Sequence, residues 1–196
     1  EYGMLDDATD EERQEALGVI LEQGNKMSVL VSQLLMMSRS ENAARTASYE
    51  KVNITKVAEA VTGELKEKAL SRKIEIKTAL QPELYVYAEQ MGLTRIFVNL
   101  IENAIQYGKD GGFISIQLKK NEKQIVCKVA DNGIGIKPEH LQNIFKRFYR
   151  ADKARTAGNE VHAGLGLSMV QILMKNYGGN IVRVSTKKDF SLLFEV

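Results

Sequence analysis

The sequence predicts an α+β fold: a two-layer α/β sandwich, a mixed sheet with helices on one face, preceded by a long helix. Three observations predict it. Apolar residues recur at helical spacing through residues 10–43. From residue 54 onward, helical patterns and short strand patterns follow one another. Two pairs of strand patterns are separated only by short polar segments, which is typical of hairpins within one sheet.

The long helix has a clear start and an apolar stripe. Thr9 and Glu12 form a capping box, in which Thr9 is the N-cap, so we expect the helix to run from about residue 10 to about residue 43. A stripe this wide requires more than one partner helix, which we expect upstream of residue 1, in a second copy of the chain, or both. The positions that repeat at alternating spacings of four and three residues are Ile20, Gly24, Met27, Val31, Leu34 and Ser38.

The rest of the chain is predicted as follows. Residues 42–52 lose the apolar period and are predicted to be a linker, and Asn53 caps the helix that follows. The predicted helices are 54–71, 89–107, a short one after Pro138, and 166–177, which ends at Gly178-Gly179. The predicted strands are 73–79, 84–88, 113–118, 124–130, 181–186 and 190–196.

Composition excludes few functions. The 196 residues carry a net charge of +2, so no strong field indicates nucleic acid or an acidic membrane surface as a partner. The single Cys127 excludes an internal disulfide and is predicted to be a buried core thiol in a reducing compartment. No apolar run is long enough to cross a bilayer and no signal peptide opens the chain. Because the chain does not begin with Met, we expect it to be part of a longer protein.

Three local patterns could carry chemistry, and each has an ordinary structural alternative. Asn99, Asn103 and Gln106 share one stripe of a helix, which is either a solvated polar face or a row of amide oxygens suited to Mg²⁺ or phosphates. The segment DNGIGI (131–136) follows a strand, so it is either a loop or a close backbone approach to a ligand. GLGL (164–167) precedes a helix, where it is either a hinge or an anion site.

A basic loop separates the last two patterns. It carries Arg147, Arg150, Lys153 and Arg155, which are either solvated surface charges or phosphate contacts, and no GxxxxGK[ST] phosphate loop occurs in the chain.

In this fixed order the patterns resemble the catalytic and ATP-binding domain of bacterial sensor histidine kinases, in the GHKL superfamily. NLIENAIQYG (99–108) resembles the N box, DNGIGI the G1 box, IFKRFYRAD (144–152) the F box and GLGLSMV (164–170) the G2 box. LLMMSRSE (34–41) is similar to the end of the second helix of the dimerisation and phosphotransfer domain. The resemblance therefore divides the chain into residues 1–45, part of that helical hairpin, and residues 46–196, the catalytic domain.

The resemblance assigns roles to individual residues. Asp131 would accept a hydrogen bond from the adenine amino group, Asn99 and Asn103 would be catalytic, and Asn103 would bind Mg²⁺. Phe145 and Phe148 would anchor the start of an ATP lid, residues 149–163, by packing. The residues implied to contact ATP are Asn99, Asn103, Tyr107, Asp131, Gly133, Gly135, Ile136, Phe148, Arg150, Lys153, Gly164, Leu165, Gly166 and Leu167.

The resemblance also implies a function in two-component signal transduction. The γ-phosphoryl group of ATP would pass to a histidine upstream of this chain and then to an aspartate on a response regulator receiver domain. The full-length protein would be a homodimer through its helical domain, and this chain the cytoplasmic part of a sensor in the plasma membrane. His140 is expected at the surface and His162 in the lid, and neither has the helical context of the phosphoacceptor.

Two rival functions remain open. A GHKL-type ATPase would need a Glu one turn before the Mg²⁺-binding Asn to activate water, and that position here is Asn99. The other rival is a non-catalytic nucleotide-binding or dimerisation module. Gln106 departs from the family, because many relatives carry Lys at that position, and this predicts a weakened phosphate contact.

Overall fold

The computed structural model describes residues 9–42, 49–122, 124–151, 164–185 and 190–195. The chain forms two compact units, Glu1–Arg39 and Ser40–Val196. The described part of the first unit belongs to helix α1 (Asp10–Asn42). The second unit contains all the strands and the four remaining helices of the described ranges.

Helix α1 begins with the predicted capping box. The backbone N–H of Thr9 donates to the Glu12 carboxylate at 2.7 Å, and the Glu12 N–H donates to Thr9 Oγ1 at 3.3 Å. These hydrogen bonds lower the pKa of Glu12. Ile20, Met27 and Val31 of the predicted stripe are 64%, 65% and 52% exposed within the single chain.

The second unit is built on a five-stranded sheet of order β2-β4-β5-β7-β6. β2 pairs with β4 in parallel and the other pairs are antiparallel. A separate two-stranded sheet joins β1 to β3. The strands are β1 (Glu50–Asn53), β2 (Glu75–Leu80), β3 (Tyr85–Ala88), β4 (Phe113–Lys120), β5 (Ile125–Asp131), β6 (Asn180–Ser185) and β7 (Phe190–Glu195).

Three helices cover the sheet, and the central one buries a continuous apolar face. α2 (Ile54–Ser71) contacts β2, α3 (Gln90–Tyr107) contacts β4 and β5, and α5 (Gly166–Asn176) contacts β6. The short α4 (Pro138–Leu141) lies between β5 and α5 in sequence. α3 buries one face at helical spacing, which orients its other face away from the sheet. Its buried face consists of Leu93, Ile96, Phe97, Leu100, Ile101, Ala104 and Ile105.

The sequence located most of these elements, and Asn53 caps α2 as predicted by accepting from the Lys56 N–H at 3.1 Å. The linker prediction is wrong for residues 50–52, because they belong to β1. The single-sheet prediction also misplaced residues 84–88, since β3 pairs with β1 and not with the main sheet. Only Val52 of β1 is buried, so the strand lacks the alternation of apolar and polar residues by which a strand is predicted.

Two further sequence predictions concern burial and membranes. Cys127 is fully buried, as predicted, and burial raises the pKa of its thiol. Among the residues that the structure describes, none of the helices combines the length and hydropathy that a bilayer span requires.

Candidate functional site

The polar face of α3 carries the two asparagines singled out from the sequence. Both side chains are half-buried. The Asn99 Nδ2 donates to the Arg95 carbonyl at 2.8 Å, one helical turn back, and this bond uses the amide nitrogen. Within the described ranges the Asn103 side chain makes no hydrogen bond. In the described ranges the two amide oxygens on this stripe have no hydrogen-bond donor, which both a solvated face and a row of ligand oxygens allow.

The DNGIGI loop packs directly on the C-terminal end of this helix. The Ile134 N–H donates to the Tyr107 carbonyl at 3.1 Å. A Cβ at Gly133 would lie 2.2 Å from that carbonyl oxygen, so no larger residue fits without moving the loop. Asp131 ends β5, is 6% exposed, and accepts from the Gly133 N–H at 2.8 Å. The loop is therefore packed closely against the backbone of α3, and its approach to a ligand stays a prediction.

Asn132 fixes the base of the loop, a role the sequence analysis did not assign. Its Oδ1 accepts from the Phe113 N–H at 2.8 Å, and its own N–H donates to the Phe113 carbonyl at 3.4 Å. These bonds join the end of β5 to the start of β4. An Asn directly after a strand is the available signal, because its side chain replaces a ladder hydrogen bond where the strand ends.

Residues 148 and 164, which lie on either side of residues 149–163, contact each other. The Phe148 N–H donates to the Gly164 carbonyl at 3.0 Å, and Gly164 has a φ of +71°. The prediction that Phe148 anchors this segment by packing is wrong: its side chain is 60% exposed and its φ is +60°. Phe145 is half-buried. Lys153 and His162 lie outside the described residues.

The N-terminus of α5 meets the polar stripe of α3 at Asn99. A Cβ at Gly166 would lie 2.5 Å from Asn99 Oδ1. Leu165 precedes the helix and is 1% exposed, so it anchors the helix start, whereas Leu167 is half-buried. The free N–H groups and the positive dipole end of α5 thus face the same region as Asn99, an arrangement that attracts anions.

The site therefore has two ends along one helix. The DNGIGI loop contacts α3 at Tyr107, and the GLGL segment contacts it at Asn99. Gly135 and Ile136 of the DNGIGI loop are half-buried. Asn99 and Tyr107 are eight positions apart in the helix, which corresponds to a rise of about 12 Å. Arg150 is half-buried, and its Nε is shielded from solvent without a hydrogen-bond partner in the described part of the chain.

The donor set fits a magnesium ion that is held mainly by phosphates. No cluster of three or more His, Cys, Asp or Glu able to hold a metal occurs in the described ranges. Mg²⁺ commonly takes one or two protein oxygens and completes its shell with water and substrate phosphates. The amide oxygen of Asn103, which has no hydrogen-bond partner among the described residues, is a suitable ligand of that kind.

Two other polar residues are occupied elsewhere. Glu102 forms an ion pair with Lys68 of α2, Nζ to Oε1 at 3.0 Å, so it points away from Asn103 as predicted. His140 was expected at the surface, but its side chain is 25% exposed and its Nδ1 lies 2.6 Å from the Tyr149 hydroxyl. It is therefore a partly buried, hydrogen-bonded residue.

Comparison with known proteins identifies the family to which the chain belongs. The family described as "Histidine kinase-, DNA gyrase B-, and HSP90-like ATPase" matches residues 88–195, more than half of the chain. The chain is 33% identical over 168 residues to the sensor histidine kinase RppB of Synechocystis sp., covering 84% of this chain and 36% of that protein. It thus spans little over a third of the length of this relative.

Solved structures show the same fold. Full-length ShkA in complex with AMPPNP superposes with a TM-score of 0.81 at 25% identity, covering 97% of this chain and 39% of ShkA. The histidine kinase ThkA in complex with the response regulator TrrA gives a TM-score of 0.73 at 19% identity, covering 98% of this chain and 53% of ThkA.

The chain therefore belongs to the family of histidine kinase-, DNA gyrase B- and HSP90-like ATPases. Within that family it is similar to sensor histidine kinases, and it contains their type of ATP-binding catalytic domain.

Proposed function

We propose that this chain transfers the γ-phosphoryl group of ATP to a histidine on a helical dimerisation and phosphotransfer domain. Residues 46–196 would be the catalytic domain and residues 1–45 part of the helical domain. The observation that carries the proposal is the α3 stripe, which holds Asn99 and Asn103 between the DNGIGI loop and the N-terminus of α5.

The DNGIGI end of the site would hold the adenine. The Asp131 carboxylate would accept a hydrogen bond from the adenine amino group, and the absence of a side chain at Gly133 and Gly135 would leave room for the base. Tyr107 and Ile136 would flank the nucleotide. Burial of Asp131 supports this role, because a hydrogen bond to a shielded carboxylate discriminates more strongly between bases than one in water.

The GLGL end would hold the phosphates. The N–H groups at the start of α5, with Gly164 and Gly166, would approach the phosphate oxygens, and Arg150 and Lys153 would add positive charge. Asn103 would bind Mg²⁺, with Asn99 alongside the phosphates. A bound Mg²⁺ would neutralise phosphate charge.

The reaction would be a single in-line transfer. A ring nitrogen of the acceptor histidine forms a bond to the γ-phosphorus, and the bond between that phosphorus and the β–γ bridging oxygen breaks. The bond's electrons leave with ADP, and the acceptor ring loses a proton to solvent. The chain's own residues would position the phosphates and stabilise their charge, and these two effects account for most of the rate enhancement in phosphoryl transfer.

The structure disfavours the rival in which water is the acceptor. A general base one turn before Asn103 would occupy position 99, and an Asn cannot accept a proton there. Glu102, the nearest carboxylate in sequence, is paired with Lys68 on α2. We therefore expect slow or negligible ATP hydrolysis.

The proposed partners follow from the relatives. ThkA was solved with a response regulator, which supports a receiver domain as the recipient of the phosphoryl group here. The exposed apolar stripe of α1 supports homodimerisation of the full-length protein through its helical domain. Attachment to a membrane would come from segments other than those in this chain.

The test follows the γ-phosphate of labelled Mg²⁺-ATP with a separately prepared, histidine-bearing dimerisation domain as acceptor. We expect acid-labile, base-stable label on that domain. Asp131→Asn should abolish the label, and Asn99→Ala should strongly reduce it.

Two results would contradict the proposal. Rapid steady-state phosphate release without label on the acceptor would favour the ATPase. Failure to bind Mg²⁺-ATP would favour a non-catalytic dimerisation module.

A further inference from the structure

The last turn of α3, on which the DNGIGI loop stands, is held by a side chain from another helix. The final carbonyls of a helix lack partners within the helix, and a left-handed glycine commonly supplies them. Gly108, which follows α3, is instead extended, with φ −62° and ψ 158°, and the last turn of α3 contains no basic residue. Its carbonyls must therefore be satisfied from outside.

Arg72, at the end of α2, satisfies two carbonyls of this last turn and the carbonyl of Gly108, which follows it. Its Nη1 donates to the Ile105 carbonyl and, at 2.9 Å, to the Gln106 carbonyl. Its Nη2 donates to the Gly108 carbonyl at 3.2 Å. The guanidinium also places a positive charge at the negative end of the helix dipole. A Lys ammonium carries its three donors on a single nitrogen, so Lys would not reproduce contacts that Arg72 makes from separate nitrogens.

The guanidinium is itself fixed in place. Asp110 Oδ1 accepts from Arg72 Nε at 3.0 Å and from Nη2 at 2.7 Å. The Arg72 backbone is tied at both ends: its N–H donates to Ala69 and its carbonyl accepts from Gly111, at 3.1 and 3.3 Å. The Asp110 side chain is 75% exposed, so we expect its ion pair to orient the guanidinium and to contribute little stability.

The DNGIGI loop is bonded to the carbonyl of Tyr107, which lies between the residues whose carbonyls Arg72 contacts. Arg72 binds the carbonyls of residues 105, 106 and 108, and the Tyr107 carbonyl accepts from the Ile134 N–H at 3.1 Å. Since Gly133 packs on that same oxygen, a shift of this turn moves the loop and the Asp131 carboxylate bonded to it.

We infer that Arg72 is a positioning residue for nucleotide recognition: by clamping the last turn of α3, it sets the place of the DNGIGI loop. The inference rests on the proposed role of that loop in binding adenine. It requires no contact between Arg72 and the nucleotide, and it concerns the base end of the site and not the phosphate end at Asn99.

The test compares Arg72→Ala and Arg72→Lys with Val61→Ala, which removes buried volume in the middle of α2, far from the clamp. ADP and GDP affinities are measured by displacement of a fluorescent adenine nucleotide. Arg72→Ala should weaken ADP binding by roughly tenfold and reduce the preference for ADP over GDP, since a hydrogen-bonded charge is lost. Arg72→Lys should be intermediate. Val61→Ala should lower the melting temperature and leave the base preference unchanged.

A second measurement does not need a nucleotide. Amide exchange in the free protein should become faster at Ile134 in Arg72→Ala, with the central amides of β4 and β5 unchanged. Unchanged ADP preference and unchanged Ile134 exchange in folded Arg72→Ala would overturn the inference, as would an equal loss of base preference in Val61→Ala. If Arg72→Ala does not fold, the same two measurements on Arg72→Lys test the inference, and parent-like values of both would overturn it. Absence of nucleotide binding by the parent chain, with faster Ile134 exchange in the variant, would contradict the proposed function and leave the clamp supported.

Discussion

Substitution of Gly133 by Ala tests whether the DNGIGI loop needs its close approach to α3. The added Cβ would lie 2.2 Å from the Tyr107 carbonyl oxygen and 2.6 Å from Asp131 Oδ1. Neither contact is tolerable, and the first involves backbone that is fixed by the end of a helix. The loop must therefore move away from α3, and residue 133 must also move away from the Asp131 carboxylate.

The magnitude follows from the hydrogen bonds that such a movement breaks. The Ile134 N–H bond to Tyr107 is neutral and contributes about 1 kcal/mol, whereas the Gly133 N–H bond to the Asp131 carboxylate contributes about 2 kcal/mol. A total near 3 kcal/mol corresponds to a roughly 100-fold loss of affinity if ATP binding has to restore the native loop. We therefore expect ATP binding to weaken by about that factor.

The assay is displacement of a fluorescent adenine nucleotide, combined with thermal unfolding of each variant. Gly63→Ala is the matched control, because no atom lies within 4 Å of the added Cβ in the middle of α2. It should stabilise the fold by about 0.5–1 kcal/mol and leave nucleotide affinity unchanged. A folded Gly133→Ala protein with the affinity of the parent chain would refute the reasoning.

Three further predictions concern the other end of the site and the pH dependence of stability. Gly166→Ala should reduce phosphoryl transfer by displacing Asn99 Oδ1, which lies 2.5 Å from the new Cβ, and transfer at the parent rate would contradict this. Asn103→Ala should weaken ATP binding measured with Mg²⁺ but not ADP binding measured in EDTA; an equal loss in both would exclude a metal-dependent role. Burial raises the pKa of Tyr177, so the folded state retains a proton that the unfolded state releases above about pH 10. Stability should therefore fall above that pH, and Tyr177→Phe should remove this part of the loss in a chemical-denaturation series.

The sequence predicted the elements whose burial is periodic. α3 and β4 were located closely because their apolar residues repeat at 3.6 and 2 residues, and each buries one face. β1 was missed because four residues with a single buried Val52 contain no period. The pairing of β3 with β1, across the whole of α2, is a long-range contact that no local pattern encodes.

The sequence was sufficient to propose which residues form the candidate site, but not their exposure, backbone conformation or long-range contacts. The motif order located Asn99, Asn103 and Asp131, whereas the exposure and positive φ of Phe148 follow from how the chain turns back to Gly164. The contact of Arg72 with the end of α3 joins residues more than thirty positions apart, so it becomes visible only once both helices are in place.

The glycines of the two motifs are required for two different reasons: some leave space for α3, and others adopt a positive φ. Gly133 and Gly166 have ordinary φ values and are required because their Cβ positions coincide with the Tyr107 carbonyl and the Asn99 amide of α3. Gly135 instead has a φ of +68° with open space around its Cβ, so it is required by backbone conformation. Each motif therefore contains one glycine for packing against α3, and the two packing glycines lie at opposite ends of the same stripe. The two motifs thus fix the DNGIGI loop at the end of α3 and the N-terminus of α5 at Asn99. Under the proposed function, these two contacts would set the separation between the base and phosphate ends of the nucleotide site.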